Sequence, residues 1–567
     1  MKKQQTNKPW WKKAIVYQIY PKSFLDTTGS GTGDINGVTQ KLDYIQQLGA
    51  DCIWLTPMYE SPQYDNGYDI SDYRKIHEVY GTMADFERLL DAAHSRGIRV
   101  IMDIAVNHTS TLHEWFQASR QSKENPYRDF YIWKEEKPDG SPPNDWQSKF
   151  GGTAWQLDEA TGSYYLHLYD VNQADLNWEN EEVRKQVYDI MHFWFQKGVD
   201  GFRLDVINNI SKDQRFLDDA GQSVQRDGRM YYTDGPRIHE FLHEMNKEVF
   251  SKYNSMTVGE MSSTNIADCI RYTRPDREEL DMTFNFHHLK VDYPNGEKWA
   301  VAPFDFLQLK AILSEWQIKM HEGGGWNALF WCNHDQPRIV SRYGDDGKYH
   351  KQSAKMLATT IHLMQGTPYV YQGEEIGMSN PGFRSIASYR DVESLNMYEL
   401  MLQEGKSEEE ALHILKMKSR DNSRTPMQWT NEAHAGFTSG TPWIEAATNE
   451  ISVQRALLEP DSIFYHYQAL CRLRKKYDVI TYGSYRLLLP DDPSIFAYMR
   501  ETADESLLVV NHFFPGEATF QLPSEVLDKM EGMKVNVLLS NYEDVTHDFK
   551  AFTLRPYESI VYHLTKR

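Results

Sequence analysis

The stretch Lys197-Gly198-Val199-Asp200-Gly201-Phe202-Arg203-Leu204-Asp205-Val206 carries the fold signal of this chain. A long amphipathic run, 181–196, leads into it, Gly198 stops that run, and a short apolar strand ends on Asp205. Helix, glycine stop, strand and terminal carboxylate are the parts of a βα repeat, in which reacting groups collect at the carboxyl ends of parallel strands. Arg203 and Asp205 are two apart, so on a strand both side chains point the same way. An arginine beside a carboxylate favours the ionised form that a nucleophile needs. Taken alone, the two residues read equally well as an ordinary ion pair at a strand end.

Outward from this stretch, strand-like runs alternate with helical ones. Strands are predicted at 14–20, 52–56, 100–106, 201–205, 256–260, 280–286, 328–332 and 369–371. Periodic helices fall between them at 38–48, 83–95, 237–252, 307–319 and 350–364, and several stop at glycine (Gly49, Gly97, Gly366). Eight strands with intervening helices predict an α/β fold, a (β/α)8 barrel, over 9–107 and 178–479. An irregular segment rich in Pro, Gly, Trp and Tyr, 108–177, reads as a subdomain inserted after the third strand. A second excursion, 379–443, follows the eighth strand and contains helical 393–403 and 407–418. From 480 to 567 the pattern turns all-β, with strands at 485–489, 495–499, 507–511, 518–521, 534–539 and 558–563, which predicts an antiparallel β-sandwich.

At 567 residues the chain exceeds one compact core. Its net charge of −20 argues against nucleic acid or an anionic membrane as partner, and any anionic substrate must meet a local basic cluster. The 13% aromatic content suits ligands with flat, hydroxylated faces, although aromatics also fill cores. Cys52, Cys269, Cys332 and Cys471 are scattered without metal-ligand spacing and read as free thiols of a reducing compartment. Lys12 and Lys13 interrupt any apolar amino-terminal region, and no apolar run reaches membrane-spanning length, so the expected location is the cytoplasm.

Three acids end three separate predicted strands: Asp205, Glu260 after Met-Thr-Val-Gly, and Asp335 within Asn333-His334-Asp335-Gln336. A fourth strand leads through Asp103 to Asn107-His108. Barrel closure brings these ends onto one rim. A ring of carboxylates with interspersed His and Arg is what glycoside cleavage requires, because the sugar passes through a cationic, oxocarbenium-like state. One acid must be ionised and one protonated, so their surroundings must push the two pKa values apart.

On these motifs, from about Trp10 to the end, the chain resembles the α-amylase superfamily (glycoside hydrolase family 13) and its oligo-1,6-glucosidase subgroup. The matching residues are Asp103…Asn107-His108, Gly201-Phe-Arg203-Leu-Asp205, Gly259-Glu260, Asn333-His334-Asp335 and Gln173-Ala-Asp175-Leu-Asn177, the last with Ala174 where the family usually has Pro. The resemblance implies Asp205 as nucleophile, Glu260 as general acid/base, Asp335 as the residue that binds and distorts the sugar, retention of configuration and no cofactor. It places Arg203, His108 and His334 around the sugar before the scissile bond, with Tyr68 stacked under it. Asp65 would grip the non-reducing end, paired with an arginine of the segment Arg420-Asp-Asn-Ser-Arg424, expected to be Arg424. That pair would close the pocket floor and make the enzyme exo-acting on short substrates; a turn-forming aspartate is the other reading of Asp65. In relatives, the loop 26–34 holds a cation, but Thr28 and Ser30 occupy two ligand positions here, and no metal is expected to serve the chemistry.

The stretch Phe284-Asn-Phe286-His287-His288-Leu-Lys290…Lys298 carries basic residues where oligo-1,6-glucosidases have acidic ones, and with 323–332 it resembles trehalose-6-phosphate hydrolases. The implied partner is a small phosphorylated disaccharide, α,α-trehalose 6-phosphate, with His287, His288, Lys290 and Lys298 as candidate phosphate ligands. Each of these also reads as part of a solvated basic face. The neighbouring reading is an α-glucosidase of neutral disaccharides such as isomaltose or sucrose. A non-enzymatic reading, an inactive binding subunit, fits poorly with the retained Asp205, Glu260 and Asp335.

Overall fold

A computed structural model describes residues 9–222, 227–447, 450–530, 532–545 and 548–566. Eight short parallel strands form its centre: β1 (Val16–Ile19), β2 (Cys52–Leu55), β3 (Arg99–Ala105), β4 (Gly201–Asp205), β5 (Met256–Glu260), β6 (Met282–Phe284), β7 (Ala328–Leu329) and β8 (Thr367–Tyr371). They are hydrogen-bonded in the order β6-β5-β4-β3-β2-β1-β8-β7, and a bridge from Thr283 to Asn327 joins the two ends into a barrel. Every residue of β4 is buried. That suits a parallel strand covered by helices on one side and packed barrel interior on the other.

The sequence explains how β4 is set. Asn180 caps the helix Glu181–Lys197 by accepting from the Glu182 amide, and Glu181 and Glu182 lie where the helix dipole favours acids. Gly198 ends that helix in the left-handed conformation (φ 106°), as glycine does at almost no cost. Gly201 then lets β4 approach β5 closely, since a Cβ there would lie 2.0 Å from the Met256 carbonyl oxygen.

The inserted segment is tied at its base. His108–Ser110 pairs antiparallel with Gln173–Asp175, His108 opposite Asp175. Beyond this lie a three-stranded sheet of Trp133–Lys134, Ser163–Leu166 and Trp155–Asp158 and a small core of Trp146, Trp155, Leu166, Leu168, Phe216 and Tyr232. After β8, the helices Val392–Gln403 and Glu408–Lys418 and the single turn Asp421–Arg424 fold over the barrel rim. The carboxyl-terminal part is a five-stranded antiparallel sheet (Ser484–Leu488, Ile495–Glu501, Glu505–His512, Ser559–Thr565, Lys534–Ser540) with a two-stranded ribbon, Ala518–Gln521 against Ala551–Leu554.

Several expected elements differ in extent. The run 280–286 yields only Met282–Phe284, because the chain then turns into a short 3-10 segment, His287–Leu289. The run 328–332 pairs only at Ala328–Leu329, although Phe330, Trp331 and Cys332 are buried. Burial, not ladder pairing, makes that run apolar. The expected helix 38–48 is two helices, Ile35–Gln40 and Leu42–Leu48, separated at Lys41.

Candidate active site

The carboxyl ends of the barrel strands carry a dense cluster of buried charges. Arg203 (β4) lies opposite Asp103 (β3) in register, and its guanidinium holds three carboxylates. Nη1 donates to Asp103 Oδ1 at 2.9 Å and to Asp205 Oδ1, and Nη2 lies 2.7 Å from Glu260 Oε2. The one guanidinium thus brings the carboxyls of Asp205 and Glu260 side by side. Burial pushes Asp205 up to about 6 against the pull of Arg203, and pushes Glu260 up to about 8. Near neutral pH, one carboxyl of the pair is therefore mostly ionised and the other mostly protonated.

The residue after Asp205 is held in an unusual conformation. Val206 is left-handed (φ 38°, ψ 39°), a strained state for a β-branched residue, and its amide donates to Glu260 Oε2 at 3.1 Å. The backbone of β4 thus helps to fix the acid of β5.

On the opposite side, a hydrogen-bond chain orders the ring-bearing residues. Gln18 Nε2 donates to His334 Nδ1 at 2.8 Å, which places the proton of the neutral ring on Nε2. That nitrogen faces Tyr68 Oη at 2.6 Å and Asp335 Oδ2 at 3.1 Å, and Tyr68 donates onward to Asp103 Oδ2 at 2.8 Å. Tyr68 and His334 stack at 5.3 Å. Burial lowers His334 to about 3 and His108 to about 4, so both are uncharged donors and acceptors at neutral pH. His108 Nε2 lies 3.3 Å from Gln173 Nε2 and 3.2 Å from the Tyr68 carbonyl. Burial works to raise Asp335, but His334, Arg420 and Arg424 outweigh it and hold the carboxyl well below the usual carboxylate range.

The arginine opposite Asp65 is not the expected one. Arg420 Nη2 donates to Asp65 Oδ1 at 3.1 Å, and Gln173 Nε2 takes the other oxygen at 3.1 Å. Arg424 instead donates to Asp335 Oδ1 at 2.8 Å and to the His334 carbonyl at 2.8 Å. The two arginines sit four residues apart around one helical turn, so spacing alone leaves both facing the rim. Beneath them, Asp391 accepts from Arg420 Nε at 3.0 Å and lies 3.5 Å from Arg424 Nη1.

A cavity of about 220 Å³ opens beside Glu260, walled by Tyr169, Lys149, Lys290, Tyr293 and Gln336. Lys149 pairs with Asp227 at 3.0 Å, and Arg229 grips the same carboxylate at 2.7 Å while reaching Ser263. Burial lowers Lys149 to about 8, with Arg229 and Lys290 adding repulsion; two of these three cations, Lys149 and Lys290, line the cavity wall. A larger, open cavity of about 750 Å³ lies elsewhere, along 428–435 and 441–447. The smaller cavity is the candidate because it contains Glu260.

The basic residues expected to meet phosphate are dispersed. Lys290 is on the cavity wall. His287 Nε2 faces the Thr264 carbonyl at 2.7 Å and stacks on Trp316. His288 is not brought to the cavity: it is buried, with Nε2 2.8 Å from the Phe330 carbonyl. Lys298 is bound to both oxygens of Glu393, each at 2.7 Å. Lys149, Arg229, Arg420, Gln173 and Asp391 join the cluster without having been expected there. Arg420 and Gln173 did lie within the motifs already quoted, whereas Lys149 and Arg229 come from irregular segments that give no periodic signal. In the loop 26–34, Asp26 is occupied by the amides of Thr28 (2.8 Å), Gly29 (3.0 Å) and Gly31 (2.7 Å) and by the Thr438 hydroxyl.

Comparison with known proteins agrees with this geometry. The family model "Alpha amylase, catalytic domain" matches residues 18–483, and "Alpha-amylase SusG C-terminal domain" matches 495–561. The chain belongs to the α-amylase family. It is a glycoside hydrolase of that family, built on a barrel with a carboxyl-terminal antiparallel sheet domain. The trehalose-6-phosphate hydrolase of Bacillus subtilis (strain 168) is 64% identical over 100% of both chains. The oligo-1,6-glucosidase of Parageobacillus thermoglucosidasius is 52% identical, covering 98% of this chain and 99% of its own. The crystal structure of Bacillus licheniformis trehalose-6-phosphate hydrolase superposes with a TM-score of 0.94 at 68% identity, covering 98% of this chain and 100% of that one.

Proposed function

We propose that this α-amylase-family enzyme hydrolyses α,α-trehalose 6-phosphate to glucose and glucose 6-phosphate with retention at the cleaved carbon. Asp205 attacks the anomeric carbon as its glycosidic bond to oxygen breaks, and Glu260 gives its proton to that departing oxygen. Water then adds to the glucosyl–Asp205 ester as Glu260 takes a proton back, releasing glucose and both carboxyls. The closeness of the two carboxyls supports this route, since inverting enzymes keep theirs roughly 6.5–9.5 Å apart to admit a water. Asp335, held ionised by Arg424 and Arg420, is suited to two sugar hydroxyls and to the positive charge developing on the ring. Asp65 and Arg420 crowd the inner end of the pocket, which favours unmodified glucose there.

The observation that carries the phosphate assignment is the cationic wall of the cavity next to Glu260. The acid that protonates the leaving group shares that cavity with Lys149 and Lys290, in a protein whose net charge is −20. A leaving glucose 6-phosphate placed there meets local positive charge within an otherwise repulsive field. The test offers purified protein trehalose 6-phosphate, trehalose, isomaltose and sucrose side by side, with products identified. Trehalose 6-phosphate is expected to give the highest kcat/KM. Lys290→Glu is expected to raise KM for it at least about tenfold more than for an uncharged aryl α-glucoside. Preference for isomaltose or sucrose would instead favour the neutral-disaccharide reading, which the 52% identical oligo-1,6-glucosidase keeps open.

A further inference from the structure

Arg420 is surrounded by more carboxylates than one cation can satisfy. Besides Asp65 at 3.1 Å and Asp335 at 3.4 Å, it meets Asp391 and lies 3.4 Å (Nε) from Glu393 Oε2. Glu393 is buried in the first turn of the helix Val392–Gln403 and meets Arg420 at Nε, whereas Asp335 faces Nη1 and Asp65 faces Nη2. Left unpaired, it would compete with Asp65 for the same guanidinium. Lys298 removes that competition by binding both Glu393 oxygens at 2.7 Å, from the long loop that also carries Lys290.

We propose that Lys298 is a positioning residue that neutralises Glu393 and so keeps Arg420 directed at Asp65, tying the floor of the sugar pocket to the loop on the leaving-group side. The role is independent of the phosphate. Asp335 keeps Arg424 at 2.8 Å whatever Arg420 does, whereas Asp65 has Gln173 as its remaining donor. Loss of Lys298 should therefore weaken the grip on the non-reducing glucose and leave the chemical step nearly intact.

A double-mutant cycle tests this with an uncharged aryl α-glucoside, so its outcome does not depend on trehalose 6-phosphate being the substrate. Lys298→Met is expected to raise KM about fivefold with kcat changed by less than about twofold. Glu393→Gln alone is expected to stay within about twofold of the parent in both. The double variant Lys298→Met/Glu393→Gln is expected to recover most of the lost KM, because no competing carboxylate remains. Melting temperatures of all three variants separate repositioning from loss of fold. An unchanged KM in Lys298→Met, a loss confined to a phosphorylated substrate, or a double variant as impaired as the single one would each overturn the assignment. If Lys298→Met does not fold, Lys298→Arg with parental KM and Lys298→Gln with raised KM test the same claim, and equal KM in these two overturns it.

Discussion

At the scale of single residues, the chemistry rests on how one arginine divides itself among acids. Arg203 touches Asp103, Asp205 and Glu260, yet burial still leaves Asp205 near 6 and Glu260 near 8. Under the proposed roles, Asp205 must be ionised and Glu260 protonated. Activity should then rise with pH through about 6 as Asp205 loses its proton, and fall through about 8 as Glu260 loses its own. These limits belong to the coupled pair, and kcat/KM against pH reads both in the free enzyme. Glu260→Gln should abolish the alkaline limb and slow a poor sugar leaving group far more than a good phenolate one. A profile keeping its fall near 8 in that variant would remove Glu260 from the acid role. The acids themselves were legible in the sequence, because Asp205 and Glu260 each end an apolar strand-like run and Asp335 follows one within three residues. The partner of Asp65 was not, since Arg420 and Arg424 share one turn and only the packed structure says which faces which carboxylate.

At the scale of elements, position depends on how closely β4 lies against β5. The Met256 amide donates to the Asp200 carbonyl at 3.0 Å, just where Gly201 leaves no room for a side chain. Gly201→Ala should force the two strands apart, costing about 1–3 kcal/mol as overpacking does. Because Asp205 and Glu260 end these strands, the substitution should also lower kcat, even though it lies four residues from the nucleophile. Chemical denaturation and kinetics on the same preparation check this, and a variant with parental midpoint and parental kcat would contradict the close approach. The glycine stops and helix periods that built this unit could be read directly from the chain. The limits of β6 and β7 could not, because periodicity reports burial: Phe330, Trp331 and Cys332 stay buried past β7, and Asn285 past β6, after the chain leaves the ladder. Lys149 and Arg229 escaped for a related reason: one lies in an irregular loop, the other opens the single 3-10 turn Arg229–Tyr231, and they meet only through the tertiary fold.

At the scale of the whole molecule, the barrel and the carboxyl-terminal sheet share one apolar core. Phe496, Tyr498, Leu507, Val509 and Val561 of the sheet belong to the same buried cluster as the barrel strands. Polar ties reinforce the seam: Tyr498 donates to the Thr360 carbonyl at 2.8 Å, and Lys310 reaches the carbonyls of Leu489, Asp492 and Ile495. Arg500 is fully buried there and donates to the carbonyls of Leu363 and Ile480 at 2.9 Å each, and to those of Gly483 and Ser484. Replacing it with Met fills similar volume but leaves buried carbonyls on both sides of the seam without a donor, at about 1–3 kcal/mol for each one left unpaired. All 15 tryptophans lie at or before Trp443, so tryptophan fluorescence reports on the barrel and its excursions while the substitution sits in the sheet. With a common core, Arg500→Met should lower the denaturation midpoint seen by that fluorescence, and activity should vanish at the same denaturant concentration. An unmoved fluorescence midpoint, with the sheet alone lost to proteolysis, would mean that the barrel stands without its carboxyl-terminal partner.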